Sequence, residues 1–142
     1  GGLLSQLITS VAGASEVFEL GVCTYSERMK SELLGVPAED IAKFGVVSRE
    51  TALGMVKGLK ERSGAEVCVS VTGIAGPSGG TPEMPVGTVW IGFDINGRQF
   101  AELPRLWEIS DRSRRSIRLA AAAFAFETIE KLLTEAIPED ER

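Results

Sequence analysis

Apolar positions recur at helical spacing from the start of the chain. Leu3, Leu4, Leu7 and Ile8 follow Gly1-Gly2, so the glycines read as a turn leading into a helix. The small-residue run Val11-Ala12-Gly13-Ala14-Ser15 comes next and reads as a tight connection, in which small side chains let backbone N–H groups approach a ligand. Residues 17–25 are largely apolar or β-branched, with Gly21 among them, which predicts a buried strand that something approaches closely. Ser26 with Glu27 supplies a cap and an early acidic residue, predicting a helix over 27–34 that Gly35 closes. A short helix with Pro37 in its first turn is expected to end near Gly45. Ser48 caps the next, over 49–62, whose Ala52, Met55, Val56 and Leu59 form one apolar stripe.

Alternation of Val67, Val69 and Val71 with Cys68 and Ser70 makes 65–72 the clearest strand, apolar enough to predict a central place in the sheet. After it, residues 73–85 form a loop rich in Gly and Pro, and a loop of this length inside a small domain is usually functional. Residues 87–95 and 98–107 read as a hairpin around Asn96-Gly97, the favoured type I′ pair. Ser110-Asp111 is expected to cap a last helix reaching about residue 136, ahead of a charged tail. The order of helices, strands and hairpin predicts an α/β fold: a single layered α/β/α domain with a mixed sheet, since the hairpin adds antiparallel strands to a helix-connected set.

Composition narrows what this domain does. With 142 residues there is room for one core and one catalytic domain. Hydrophobic content of 44% and charged content of 25% are globular values, and a net charge of −5 speaks against a nucleic-acid footprint, leaving small-molecule chemistry as the better expectation. No apolar run reaches membrane-spanning length and no basic-then-apolar leader is seen, which predicts no membrane partner and a cytoplasmic location. Cys23 and Cys68 lie in β-like apolar runs and read as buried thiols. Without His or a CxxC pair, a metal site has almost no ligands, and a hydrolase built on this chain needs a base other than imidazole.

Lysine can serve as that base if burial lowers its pKa. Ser15 on its turn, Tyr25 at the end of the expected strand and Lys30 one turn into the following helix are placed to converge at one end of a sheet. Ser–Lys pairs are an alternative to Ser-His-Asp, with a tyrosine orienting either partner or relaying the proton, although such spacing also arises by chance. The Gly-Pro loop lacks the order of a nucleoside-triphosphate P-loop and of a dinucleotide-binding turn, so neither ATP nor NAD is expected as a cofactor. Its successive backbone N–H groups can still face an anion. Arg112, Arg114, Arg115 and Arg118 are further anion candidates, with Arg112 favoured because it is expected in the first turn of the last helix.

Four strings carry a resemblance: Ile-Thr-Ser-Val-Ala-Gly-Ala-Ser at 8–15, Gly-Val-Cys-Thr-Tyr-Ser at 21–26, Lys30 with Leu-Leu-Gly-Val-Pro at 33–37, and Val-Thr-Gly-Ile-Ala-Gly-Pro-Ser-Gly-Gly-Thr-Pro-Glu-Met-Pro-Val-Gly-Thr-Val at 71–89. The chain resembles, nearly end to end, the CinA C-terminal domain family, the nicotinamide-nucleotide amidohydrolases or nicotinamide mononucleotide deamidases. This resemblance implies hydrolysis of nicotinamide mononucleotide to nicotinic acid mononucleotide and ammonia in pyridine nucleotide recycling, with no cofactor or metal. It implies Ser15 as nucleophile, Lys30 as base and Tyr25 as a residue that holds or relays the proton. Backbone N–H groups from Gly13 through Ala14 to Ser15 are the expected oxyanion donors. The family's loop matches residues 72–81, placing Thr72, Gly73, Gly76, Gly79, Gly80 and Thr81 at the substrate, and the family's Asp-Arg matches Asp111-Arg112, making Arg112 the first choice for the substrate phosphate.

The family also implies a homo-oligomer. Its members carry an upstream helix, a strand and a Glu-Ser-Cys-Thr-Gly-Gly run of which only Gly1-Gly2 is present, so residues 1–142 read as the domain without its N-terminal helix and strand. Two alternatives stay open. One is a non-catalytic nucleotide-sensing or scaffold domain linked to competence and DNA damage, distinguished by binding without turnover. The other is an amidase for a different small carboxamide, distinguished by comparing free nicotinamide with its nucleotide.

Overall fold

Local capping sets most of the helices. In the computed structural model, which describes residues 1–142, α1 is Leu3–Thr9, α2 Glu27–Leu34, α3 Ala38–Phe44, α4 Arg49–Ser63 and α5 Arg114–Glu135; the strands are β1 Val67–Gly73, β2 Val89–Ile95 and β3 Arg98–Glu102. The Ser26 hydroxyl accepts from Met29 N–H and the Ser48 hydroxyl from Thr51 N–H, as the expected caps should. Gly35 and Gly64 end α2 and α4 at φ 70° and 65°, left-handed values that cost glycine nothing. Asn96 at φ 53° and Gly97 at φ 88° make the tight hairpin between β2 and β3.

The sheet has the order β1-β2-β3. Its two faces are covered differently. Val89, Ile91, Phe93 and Ile95 pack with Leu106 and with Ile117, Ala121 and Ala125 of α5. On the opposite face lie Cys68, Ser70, Thr72 and Gly92, against α4. There the Ser70 hydroxyl donates to Ala52 O at 2.6 Å, and a Cβ on Gly92 would stand 2.5 Å from that same carbonyl. Beyond α4, a second cluster of Leu34, Val36, Ile41 and Met55 ties α2 and α3 to it. The three layers are therefore helix, sheet and helix, as the α/β/α reading expects.

Three expectations about the strands and the last helix are corrected. The sheet is antiparallel throughout, not mixed, because residues 17–25 form no ladder. The N–H groups of residues 19–24 have no backbone partner, and Val17, Leu20, Val22 and Tyr25 are exposed. Apolar, β-branched composition stabilises a strand through its neighbours, and here no neighbouring strand is present. What approaches Gly21 is Ser5 of α1 and the Phe18 ring. As a result Cys23 is exposed, whereas Cys68 is buried as expected. Next, β1 is an edge strand and β2 the central one. Finally, α5 begins three residues later than expected: Asp111 accepts from Ser113 N–H and Ser116 Oγ–H, and Ser113 itself becomes the cap. Those hydrogen bonds, led by the one from Ser116, hold the Asp111 carboxyl below the usual aspartate pKa. No helix is long and apolar enough to cross a membrane.

Candidate active site

Lys30 is the only cationic side chain among the buried residues, at 7% exposure. The Ser26 cap starts α2, and this directs Lys30 inward, where its Nζ donates to the carbonyl of buried Thr24 at 2.5 Å. Burial pushes its pKa below the ordinary lysine value of 10.5, overcoming the opposite pull of Cys23 and Glu27. This is the direction a lysine base needs.

Ser15 lies on a one-turn 3-10 helix, Ala14–Glu16, entered through Gly13 at φ 86°. Its hydroxyl is exposed and makes no hydrogen bond, to Lys30, to Tyr25 or to any other group. The N–H groups of Gly13 and Ser15 have no backbone acceptor, while Ala14 N–H is used on Val11 O at 3.2 Å. Gly13 and Ala14 border an apolar groove of about 510 Å³, shared with Leu7, Ile8, Val11 and Phe126. A hydroxyl beside two unused amide donors is able to act as a nucleophile next to an oxyanion site, once a carbonyl is placed between them.

Tyr25 is 74% exposed, yet its phenol is held. Arg114 Nη2 donates to the Tyr25 oxygen at 3.0 Å, and Arg114 Nη1 donates to Gly76 O at 2.9 Å. The guanidinium thus joins the phenol to the Gly-Pro loop.

That loop forms one wall of a second cleft, of about 580 Å³, lined by Pro77 to Pro82, Pro85, Val86 and Arg112. Its shape depends on close backbone approaches. Gly76 is at φ 81° with Val86 against it, and a Cβ on Gly80 would meet Val86 N at 2.8 Å. Thr81 closes the tip, its N–H donating to Met84 O and its hydroxyl accepting from Met84 N–H. The N–H groups of Ser78, Gly79 and Gly80 have no backbone acceptor, so the cleft offers amide donors and the Arg112 guanidinium to an anion. Arg112 reaches the cleft from the segment before α5, not from the first helical turn. Thr72 and Gly73 lie at the end of β1, outside this lining: the Thr72 hydroxyl donates to Val46 O at 2.7 Å, and Val89 packs where a Gly73 Cβ would stand.

Of the residues singled out in the sequence, the structure gathers Gly79, Gly80, Thr81 and Arg112 around one cleft, with Gly76 just before its lining. Tyr25 is tied to that loop and Lys30 to Thr24, and the Ser15 turn, which borders the other groove, makes no hydrogen bond to either. Arg114, not the Arg112 favoured among the four arginines, makes the contacts that bridge these segments. Its partners lie 38 and 89 positions away in the chain, and the only local signal was an arginine cluster of four. No cluster of three or more His, Cys, Asp or Glu side chains is placed to hold a metal ion.

The sequence profile of the CinA C-terminal domain matches residues 1–133. A CinA-like protein of Thermotoga maritima is 47% identical over 133 residues, which cover 94% of this chain and 31% of that relative. The chain thus spans less than a third of that longer protein. A nicotinamide-nucleotide amidohydrolase PncC of Enterobacter agglomerans is 44% identical over 128 residues, covering 90% of this chain and 76% of the relative. Among solved structures, a competence/damage inducible protein CihA from Agrobacterium tumefaciens superposes with a TM-score of 0.86 at 42% identity, covering 93% of this chain and 79% of that one.

Proposed function

Because the chain belongs to the CinA C-terminal domain family, we propose that it is an amidohydrolase converting nicotinamide mononucleotide and water to nicotinic acid mononucleotide and ammonia. The observation that carries this reading is buried Lys30, whose pKa is lowered by desolvation in a chain without histidine. In this reading the neutral Lys30 amine takes the proton of Ser15 as Ser15 Oγ attacks the carboxamide carbon. The tetrahedral oxyanion is received by the Gly13 and Ser15 N–H groups. Tyr25 passes the proton on to the departing nitrogen, ammonia leaves, and water then hydrolyses the acyl-enzyme to free Ser15. The phosphate binds in the Gly-Pro cleft through the Ser78, Gly79 and Gly80 amides and Arg112. Ser15 and Lys30 are not hydrogen-bonded in the free chain, so the substrate has to draw the Ser15 turn toward Lys30; catalytic hydrogen bonds often tighten only in the complex.

Ammonia release from nicotinamide mononucleotide tests the proposal, with free nicotinamide as the comparison. Release from the nucleotide alone supports both the reaction and the phosphate cleft. The lack of any hydrogen bond between Ser15 and Lys30 in the free chain favours, as a second reading, a domain that binds the nucleotide without turnover. Saturable nucleotide binding by calorimetry, with no ammonia formed, would establish that reading and remove the first.

A further inference from the structure

We propose that Arg114 is the positioning residue of Tyr25, fixing the phenol at the reaction site and tying its placement to the Gly-Pro loop; this rests on the amidohydrolase reading. An exposed tyrosine ordinarily samples several rotamers, and a proton relay needs one. Arg114 is the phenol's single hydrogen-bond partner, at 3.0 Å, and its second nitrogen is anchored on Gly76 O at 2.9 Å. The backbone of Arg114 is fixed in turn, as the first residue of a helix capped by Ser113 and held by Asp111. Guanidinium is a donor with no acceptor, so the phenol oxygen receives this bond and its own proton stays free to be donated elsewhere. A planar fork spans two acceptors at a set angle in a way that a flexible ammonium does not. The bridge also joins the two parts of the site that the free chain keeps in order: the Tyr25 turn that leads into α2, and the loop proposed to hold the phosphate.

Tyr25 is the chain's one tyrosine, so tyrosine labelled with ¹³C at Cζ gives a single resonance that reports on this phenol. In Arg114→Gln we expect that resonance to move toward the value of free tyrosine. Turnover of nicotinamide mononucleotide should fall about tenfold in kcat, the scale of one charge-assisted hydrogen bond, with KM changed less than about twofold. Arg114→Lys should recover part of the loss. The double variant Tyr25→Phe/Arg114→Gln should be no slower than Tyr25→Phe alone, because the arginine acts through the phenol. An unmoved Cζ resonance, or a further tenfold loss in the double variant, overturns the proposal. If the unmodified chain releases no ammonia, the amidohydrolase reading falls, and the Cζ resonance by itself decides whether Arg114 holds Tyr25.

Discussion

Gly58 is the point where the packing of α4 sets the position of Lys30, and Gly58→Ala tests that link. Gly58 is buried in α4, and an added Cβ would stand 1.8 Å from Leu34 O, at the end of α2. Ordinary contact requires that carbonyl to retreat by about 1.5 Å. A backbone carbonyl cannot rotate aside as a side chain can, so α2 has to shift as a body, and with it Lys30. Overpacking of this kind costs about 1–3 kcal/mol, against about 1 kcal/mol gained by alanine in a helix interior. The clash with backbone places the loss at the upper end, giving a net destabilisation of about 2 kcal/mol, or a urea midpoint lower by about 1 M. Gly54→Ala is the internal control: its Cβ would meet only Val36 methyls at 3.3 Å, so stability should stay within about 1 kcal/mol of the parent. Urea unfolding followed by circular dichroism reads both variants. Turnover of Gly58→Ala should also drop by about tenfold or more, since displacements near 1 Å at a reacting group are costly. Equal midpoints for the two variants would show that the Leu34 carbonyl does not limit the space at Gly58.

Lys30 has a folded pKa below 10.5, so between the folded value and 10.5 the unfolded chain binds more protons and stability rises with pH. Urea midpoints from pH 7 to 10.5 should therefore show the parent gaining on Lys30→Met as pH increases, and a constant difference, or one of opposite sign, would contradict the burial argument. Arg112→Ala should raise KM for nicotinamide mononucleotide about tenfold while leaving the phosphate-free riboside unaffected, as expected from losing one charged hydrogen-bonding partner; equal effects on both would detach Arg112 from the phosphate. A thiol reagent should modify exposed Cys23 in the folded chain and reach buried Cys68 only in denaturant, and simultaneous reaction of both would contradict their placement.

Features governed by near neighbours in the chain were readable from the residues. The caps at Ser26 and Ser48, the terminating Gly35 and the Asn96-Gly97 hairpin each depend on contacts within a few positions. Pairing is different. Residues 17–25 have strand composition, but a strand exists only with a partner, and composition does not say whether one is present. The start of α5 was ambiguous for a local reason: Ser110, Asp111 and Ser113 are all good caps, and the choice is made by Asp111 bonding to Ser113 and Ser116. At the site, burial of Lys30 was in the sequence only a condition for its use as a base, and it is the fold that meets that condition. The Tyr25–Arg114–Gly76 bridge did not, because it links segments that meet only after the sheet and α5 are in place.

The proposed covalent amide hydrolysis by Ser15 with Lys30 as base is tested most sharply by ammonia release from nicotinamide mononucleotide by Ser15→Ala beside the parent chain. With matching circular dichroism and thermal unfolding, the variant is predicted to lose turnover by roughly 10³-fold or more, as enzymes do when their nucleophile is removed. Turnover of Ser15→Ala within a few-fold of the parent would remove Ser15 as the nucleophile.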